Sequence, residues 1–221
     1  MADNAITIEQ ELAPILTASG LGALGWLVMA DAPFAMRKAL LIGNHAVDGK
    51  HTFWEIFSQS PEYGDGMAEP MNRWTERVVG DIARQRGAVA LYPFGQTLWP
   101  FQRYAQQATG MKASPLGILI HPEFGLWHAF RALLVFGSDV ALSPVEKLIH
   151  PCERCIEKPC LSACPVNAFS DTGFAVSACR EHLASGDEPR CMALGCRARA
   201  ACPVGVPYSE AQIRFHMEAF A

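Results

Sequence analysis

The sequence predicts an α/β or α+β layer domain over residues 1–147, followed by a small stapled module over residues 148–221, and three observations lead there. Helical and strand-like apolar patterns alternate through the first two thirds of the chain. All eight cysteines lie between Cys152 and Cys202. From about residue 150 the composition turns to Cys, Ala, Pro and Arg, with too few large apolar side chains to fold by burial alone. Such a segment needs staples, and metal–thiolate bonds supply them.

Taken in order, Thr7 followed by Glu9, Leu12, Ile15 and Leu16 predicts a first helix ending near Gly20. The apolar stretches 22–29 and 39–42, bounded by Gly, Pro and Asn, predict strands. "GKHTFWEIFSQSPE" predicts a short helix stopped around Pro61. Asn72 is a candidate cap for "RWTERVVGDIARQRG", where Trp74, Val78, Ile82 and Ala83 recur at helical spacing and Gly87 closes the helix. "AVALYPFG" (88–95) reads as a strand, and Pro100 opens a helix with Phe101, Tyr104 and Ala105 on one side. "PLGILIHPEFGLWHAFRALLVFG" then reads as a hairpin turning at 122–125.

Half of the 221 residues are hydrophobic, 18% are charged, and the formal charge is -4. That balance gives no overall basic field, so nucleic acid is not an expected partner. Arg190, Arg197 and Arg199 form a local basic cluster suited to an acidic partner. The N-terminus has no basic region followed by an apolar run, and "LGALGWLVMA" (21–30) is too short to span a membrane. The expected location is cytoplasmic, where thiols stay reduced, with no membrane partner.

The cysteine spacing carries the chemistry: Cys152-x2-Cys155-x4-Cys160-x3-Cys164-Pro165, then Cys179, then Cys191-x4-Cys196-x5-Cys202-Pro203. Bacterial ferredoxin runs read C-x2-C-x2-C-x3-C-P, with the fourth cysteine serving the other cluster of a pair. Here the first and last gaps match and the middle gap carries two extra residues. Eight thiolates are what two [4Fe–4S] clusters need, so a ferredoxin-like double-cluster module is expected over 148–221. By the crossover rule, Cys152, Cys155, Cys160 and Cys202 share one cluster, and Cys164, Cys179, Cys191 and Cys196 the other. Zinc held by four cysteines is the competing reading, and one cluster with spare thiols is a further one. Disulfides do not suit a reducing compartment or such tight clustering.

"CERCIEKPCLSACPVNAF", "CREHL" and "CMALGCRARAACP" together resemble the 4+1+3 cysteine plan of the epoxyqueuosine reductases, cobalamin-dependent iron–sulfur enzymes related to the reductive dehalogenases. The block "PFQRYAQQATGMKASPLGILIHPEFGLWHAFRALLVF" is similar to the segment that precedes the ferredoxin module in that family. The resemblance implies a nitroreductase-like α/β fold for the first domain, with a corrinoid as its guest. It covers about residues 90–205. The chain departs from the family where "GQTLWP" lacks the acidic proton donor and where Leu116-Gly117 replaces a Gly-Lys. The tRNA-holding helical repeats are absent from the sequence, so epoxyqueuosine reduction itself is not expected.

Within that resemblance, His121, His128, Arg131 and Tyr104 are the candidate cofactor-binding residues. The competing readings are a turn residue for His121, a backbone-satisfied strand residue for His128, a salt-bridged Arg131 and a core Tyr104. Tyr92 and Tyr104 are candidate proton donors in place of the missing acid. His150, beside Cys152, is a candidate donor to a cluster sulfur. No catalytic residue is assigned. The expectation is a redox protein passing electrons from a partner protein through two [4Fe–4S] clusters to cobalamin or a substrate. A ferredoxin-like carrier without an organic cofactor and a zinc-stabilised binding module are the alternatives.

Overall fold

A computed structural model describes residues 8–47, 49–138, 149–170, 173–185 and 190–220. The elements run α1 (Ile8–Ala18), β1 (Gly22–Val28), β2 (Lys38–His45), α2 (Thr52–Phe57), α3 (Pro61–Gly64), α4 (Pro70–Gln85), β3 (Val89–Leu91) and α5 (Phe101–Thr109). They continue with β4 (Lys112–Ala113), β5 (Leu119–Ile120), β6 (His128–Val135), β7 (Phe169–Ser170), β8 (Gly173–Phe174), α6 (Val176–Ser185), α7 (Arg190–Leu194), α8 (Arg197–Ala200) and α9 (Glu210–Phe220). The architecture is mixed α and β with antiparallel sheets. No helix of the described residues is long and apolar enough to cross a membrane.

The chain divides into two compact units, Met1–Gly110 with Ala129–Leu148, and Met111–His128 with Ile149–Ala221. Segment 111–128 therefore belongs with the cysteine-bearing residues and not with the first domain. The expected boundary at 147/148 lies outside the described residues, as does Thr7.

The first unit is built on a sheet of order β1-β2-β6-β3. β1 and β2 pair antiparallel with an irregularity between Ala23 and Gly25, and β3 pairs antiparallel with β6. The Phe136 N–H donates to the Lys38 carbonyl at 2.8 Å while Gly43 faces the Ala129 carbonyl, so β2 and β6 also run oppositely. β2 is central and its residues Ala39–Asn44 are buried, which is why "ALLIG" reads as an unbroken apolar run. α1 and α5 pack on β1. Trp26 Nε1 ties the first of them down by donating to Glu9 Oε2 at 3.0 Å. Phe53, Phe57 and Trp74 form an aromatic core, with the Phe53 and Trp74 rings edge to face at 5.3 Å.

Several expectations shift by a residue or more. α4 starts at Pro70, behind Glu69 in a left-handed conformation, so Asn72 sits inside the helix; its buried face uses Val79 and not Val78. Pro61 does not end the local helical structure; it opens α3. β3 keeps only three residues of the expected strand at 88–95. The expected hairpin around 122–125 does not form: β5 pairs with β4, while β6 joins the sheet of the first unit. The chain turns there, as the His121–Gly125 bridge shows, but its two apolar runs serve different units.

In the second unit, Leu116, Ile120 and Leu126 of the 111–128 segment join Cys160 and Ala198 in one buried cluster. Cys152, Cys164, Phe169, Cys196 and Cys202 pack against it. The cysteine segment, poor in large apolar side chains, thus takes its core from residues that precede it in the chain, Leu116, Ile120 and Leu126. A second, smaller cluster joins Trp127 to Tyr208 and Ile213 of the C-terminal region.

Candidate metal centre

The eight thiols are distributed between two cavities, both within the second unit. Cys152, Cys155, Cys160 and Cys202 line the smaller, of about 30 Å³. Cys164, Cys179, Cys191 and Cys196 line the larger, of about 320 Å³, whose wall is almost wholly apolar. Three of the four cysteines of the first run stay together, the fourth is handed to the other cavity, and the final cysteine returns to the first. Neighbouring thiols raise one another's cost of ionisation along the same partition. Burial first, then the Cys202, Cys160 and Cys155 thiols, push Cys152 above the ordinary thiol range; burial, then Cys202 and Cys155, do so for Cys160. Burial, then Cys196, Cys164 and Cys191, push Cys179 up in the other cavity. Four thiolates gathered in an apolar wall need positive charge among them, which a metal centre provides.

Short turns set this arrangement. Pro151–Glu153 and Pro159–Leu161 form single 3-10 turns that present Cys152 and Cys160, and Lys158 precedes the second with φ +42°. The Ala168 N–H donates to Cys164 Sγ at 3.3 Å, a backbone bond of the kind that steadies a thiolate ligand. α6 carries Cys179 and, three residues on, His182; both line the larger cavity. His182 Nε2 is buried without a hydrogen-bond partner.

Cys202 is held by the 124–127 segment through two clamps. Arg199 Nε donates to the Leu126 carbonyl at 3.1 Å, with its guanidinium 4.3 Å from the centre of the Trp127 ring and 5.1 Å from that of Tyr208. Arg199 is therefore an internal strut rather than part of a docking patch for an acidic partner. Behind Cys202, the turn at Gly205 lies against the turn at Gly125, backbone to backbone. A Cβ on Gly125, φ +58°, would fall 1.8 Å from the Val204 carbonyl oxygen, and one on Gly205, φ +85°, 2.2 Å from that of Phe124.

Among the described residues, no three His, Cys, Asp or Glu side chains form a group placed to hold a metal ion. A structural zinc draws four donors to about 2.0–2.3 Å from a single centre. The two sets of cysteines ring a space instead.

The four residues expected to hold an organic cofactor are each engaged by other groups of the chain. Tyr104 is fully buried and its hydroxyl donates to Asp31 Oδ2 at 2.9 Å, beside Arg103, which donates to both Asp31 oxygens at 2.8 Å. Arg131 Nε donates to Asn44 Oδ1 at 2.7 Å, and its guanidinium lies 4.8 Å from the centre of the Phe53 ring. His121 is a turn residue: its Nδ1 accepts from the Glu123 and Phe124 N–H groups, and its ring stacks on Phe124 at 4.1 Å. His128 Nε2 lies 3.1 Å from the Leu119 carbonyl. None of the four lines either cysteine cavity. Burial, ahead of other causes, pushes Tyr92 and Tyr104 up to about 12, which makes both poor proton donors near neutrality. His150 is also engaged, with Nδ1 accepting from the Cys152 N–H at 3.4 Å and Nε2 3.2 Å from the Ala113 carbonyl. It caps a turn, and the sequence reading passed over His182, whose only signal was its place three residues after Cys179.

Asp31 offers a check on this arrangement. The Tyr104 hydroxyl first, and then Arg103, hold its carboxyl below the usual carboxylate range. A depressed carboxyl contributes stability above its unfolded pKa and loses it as the pH falls through the folded value. Tyr104→Phe is therefore expected to lower the urea midpoint at pH 7, and by less at pH 3.

No family model and no curated protein matches the chain. Among solved structures, a *C. elegans* B12-trafficking protein, CblC, described as a homologue of human MMACHC, matches over 95% of this chain and 88% of its own, at 14% identity and a TM-score of 0.52. What the two chains share is a fold.

Proposed function

We propose that this chain is an iron–sulfur redox protein whose second unit holds two [4Fe–4S] clusters, related in design to the epoxyqueuosine reductases, and that its first unit binds a corrinoid. The observation that carries the reading is the distribution of the eight cysteines, four to each of two cavities, along the crossover expected for a double-cluster ferredoxin. When bound, each cluster would supply one-electron transfer at a potential set by its surroundings. The chain's own part is to present four thiolates to each centre, to steady Cys164 with the Ala168 N–H, and to exclude water with the apolar wall of the larger cavity.

Support for the corrinoid is of a different kind: the fold likeness to a protein described as trafficking B12. The residues first expected to seat it do not fit that task, because Tyr104, Arg131, His121 and His128 are engaged elsewhere. No step is therefore routed through it. The same engagement favours a second reading, a ferredoxin-like carrier with no organic cofactor.

Anaerobic purification with iron and sulfide quantification tests the first part. About eight of each per chain is the expected result, and a colourless protein containing zinc would overturn it. Titrating cobalamin into the same sample decides the second: a spectral shift with thermal stabilisation supports the corrinoid, and neither supports the carrier.

A further inference from the structure

The two cavities are chemically unequal. The one lined by Cys164, Cys179, Cys191 and Cys196 also contains His182 in its wall, with Nε2 buried and unpartnered. A buried imidazole nitrogen left without a partner is costly, so a group of this kind calls for one. No hydrogen-bonding partner of Nε2 occurs among the described residues, and the wall it belongs to is almost wholly apolar. The cavity lined by Cys152, Cys155, Cys160 and Cys202 has no histidine in its wall, and the neighbouring His150 is bonded to backbone at both nitrogens.

We infer that His182 is a positioning residue for the second centre, donating its Nε2–H to a sulfur of the cluster held by Cys164, Cys179, Cys191 and Cys196, and so making that cluster the easier of the two to reduce. The inference rests on the two-cluster reading above. Its physical basis is that a hydrogen bond to a cluster sulfur stabilises the extra negative charge of the reduced state more than it stabilises the oxidised one. The helix places His182 for the task, because residues three apart lie on one face and Cys179 is a ligand of the same centre. With both clusters bound, the one held beside His182 would be the first to take up an electron.

The test is a potentiometric titration with dithionite, followed by electron paramagnetic resonance, on the full-length protein and on His182→Phe and His182→Gln. His182→Phe is expected to lower the potential of one centre only. The reduced-to-oxidised ratio at a fixed potential should fall about tenfold, which is 59 mV for a one-electron couple. His182→Gln, which keeps an N–H donor, should recover much of the shift. Iron content is measured alongside. Wild-type protein with clusters whose potentials are unmoved in His182→Phe overturns the inference and leaves the two-cluster reading standing. Wild-type protein without clusters overturns the reading beneath it. Where His182→Phe fails to assemble, wild-type protein with 15N-labelled imidazole decides: a weak nitrogen coupling to one reduced centre, absent from His182→Gln, is expected. A coupling strong enough for direct iron–nitrogen ligation, or none at all, overturns the donor role.

Discussion

Cys202→Ser is expected to lower the iron content from about eight to about four per chain and to abolish the signal of one reduced centre while sparing the other. The reason is spatial. Cys202 lies 38 residues beyond Cys164 in sequence, yet it lines the cavity of Cys152, Cys155 and Cys160. Cys164→Ser should remove the other centre, although Cys164 follows Cys160 by only four positions, because it lines the cavity of Cys179, Cys191 and Cys196. If pairing instead followed sequence order, Cys164→Ser would damage the centre of the 152–160 loop and Cys202→Ser the other. The double variant Cys202→Ser with Cys155→Ser separates the two schemes: it should retain about four irons under the crossover and close to none under sequence order.

Gly125→Ala is expected to be nearly as damaging, without touching a thiol. An alanine there must adopt φ near +58° and place its Cβ 1.8 Å from the Val204 carbonyl oxygen, so the backbone has to part. Left-handed strain on a non-glycine residue costs about 1–3 kcal/mol, and displacement of close-packed backbone adds to it. The loss should exceed about 2 kcal/mol in chemical denaturation, and it should appear first as lability of the centre that includes Cys202, three residues before Gly205. A control at Gly117, where a Cβ meets nothing within 4 Å but φ is +77°, separates strain from collision: Gly117→Ala should cost only the strain. Equal losses at the two positions would remove the clamp from the account of how Cys202 is placed.

The parts of this molecule that could be read from sequence are those whose signals are local. α1, β1, β2 and α5 announced themselves by periodicity and by the glycines and prolines at their ends. The division of the cysteines between two cavities runs along the crossover expected from their spacing. What escaped were properties that depend on distant partners. The stretch from Pro115 looks like a hairpin turning at 122–125, and nothing in its own pattern tells that Leu116, Ile120 and Leu126 will pack against Cys160 and Ala198. Arg199 looks like a free surface cation until Trp127 and Tyr208 pack against it. Nor does a sequence reveal that Asp31 and Asn44 engage Tyr104 and Arg131.

The discontinuity of the second unit bears on how such a protein can be cut, grafted or inherited. A fragment starting at residue 149 carries every cysteine, yet it leaves behind Leu116, Ile120 and Leu126, the floor on which Cys160 and Ala198 rest, together with the Leu126 carbonyl that Arg199 grips. Transplanted alone, it would offer the right ligands on a scaffold without its footing. The transferable cassette is two stretches of chain, 111–128 and 149–220, with the closing strand of the other unit threaded between them. Recombination that swaps one unit for a foreign counterpart must therefore break the gene in three places, which couples the fates of the two units more tightly than a simple fusion would.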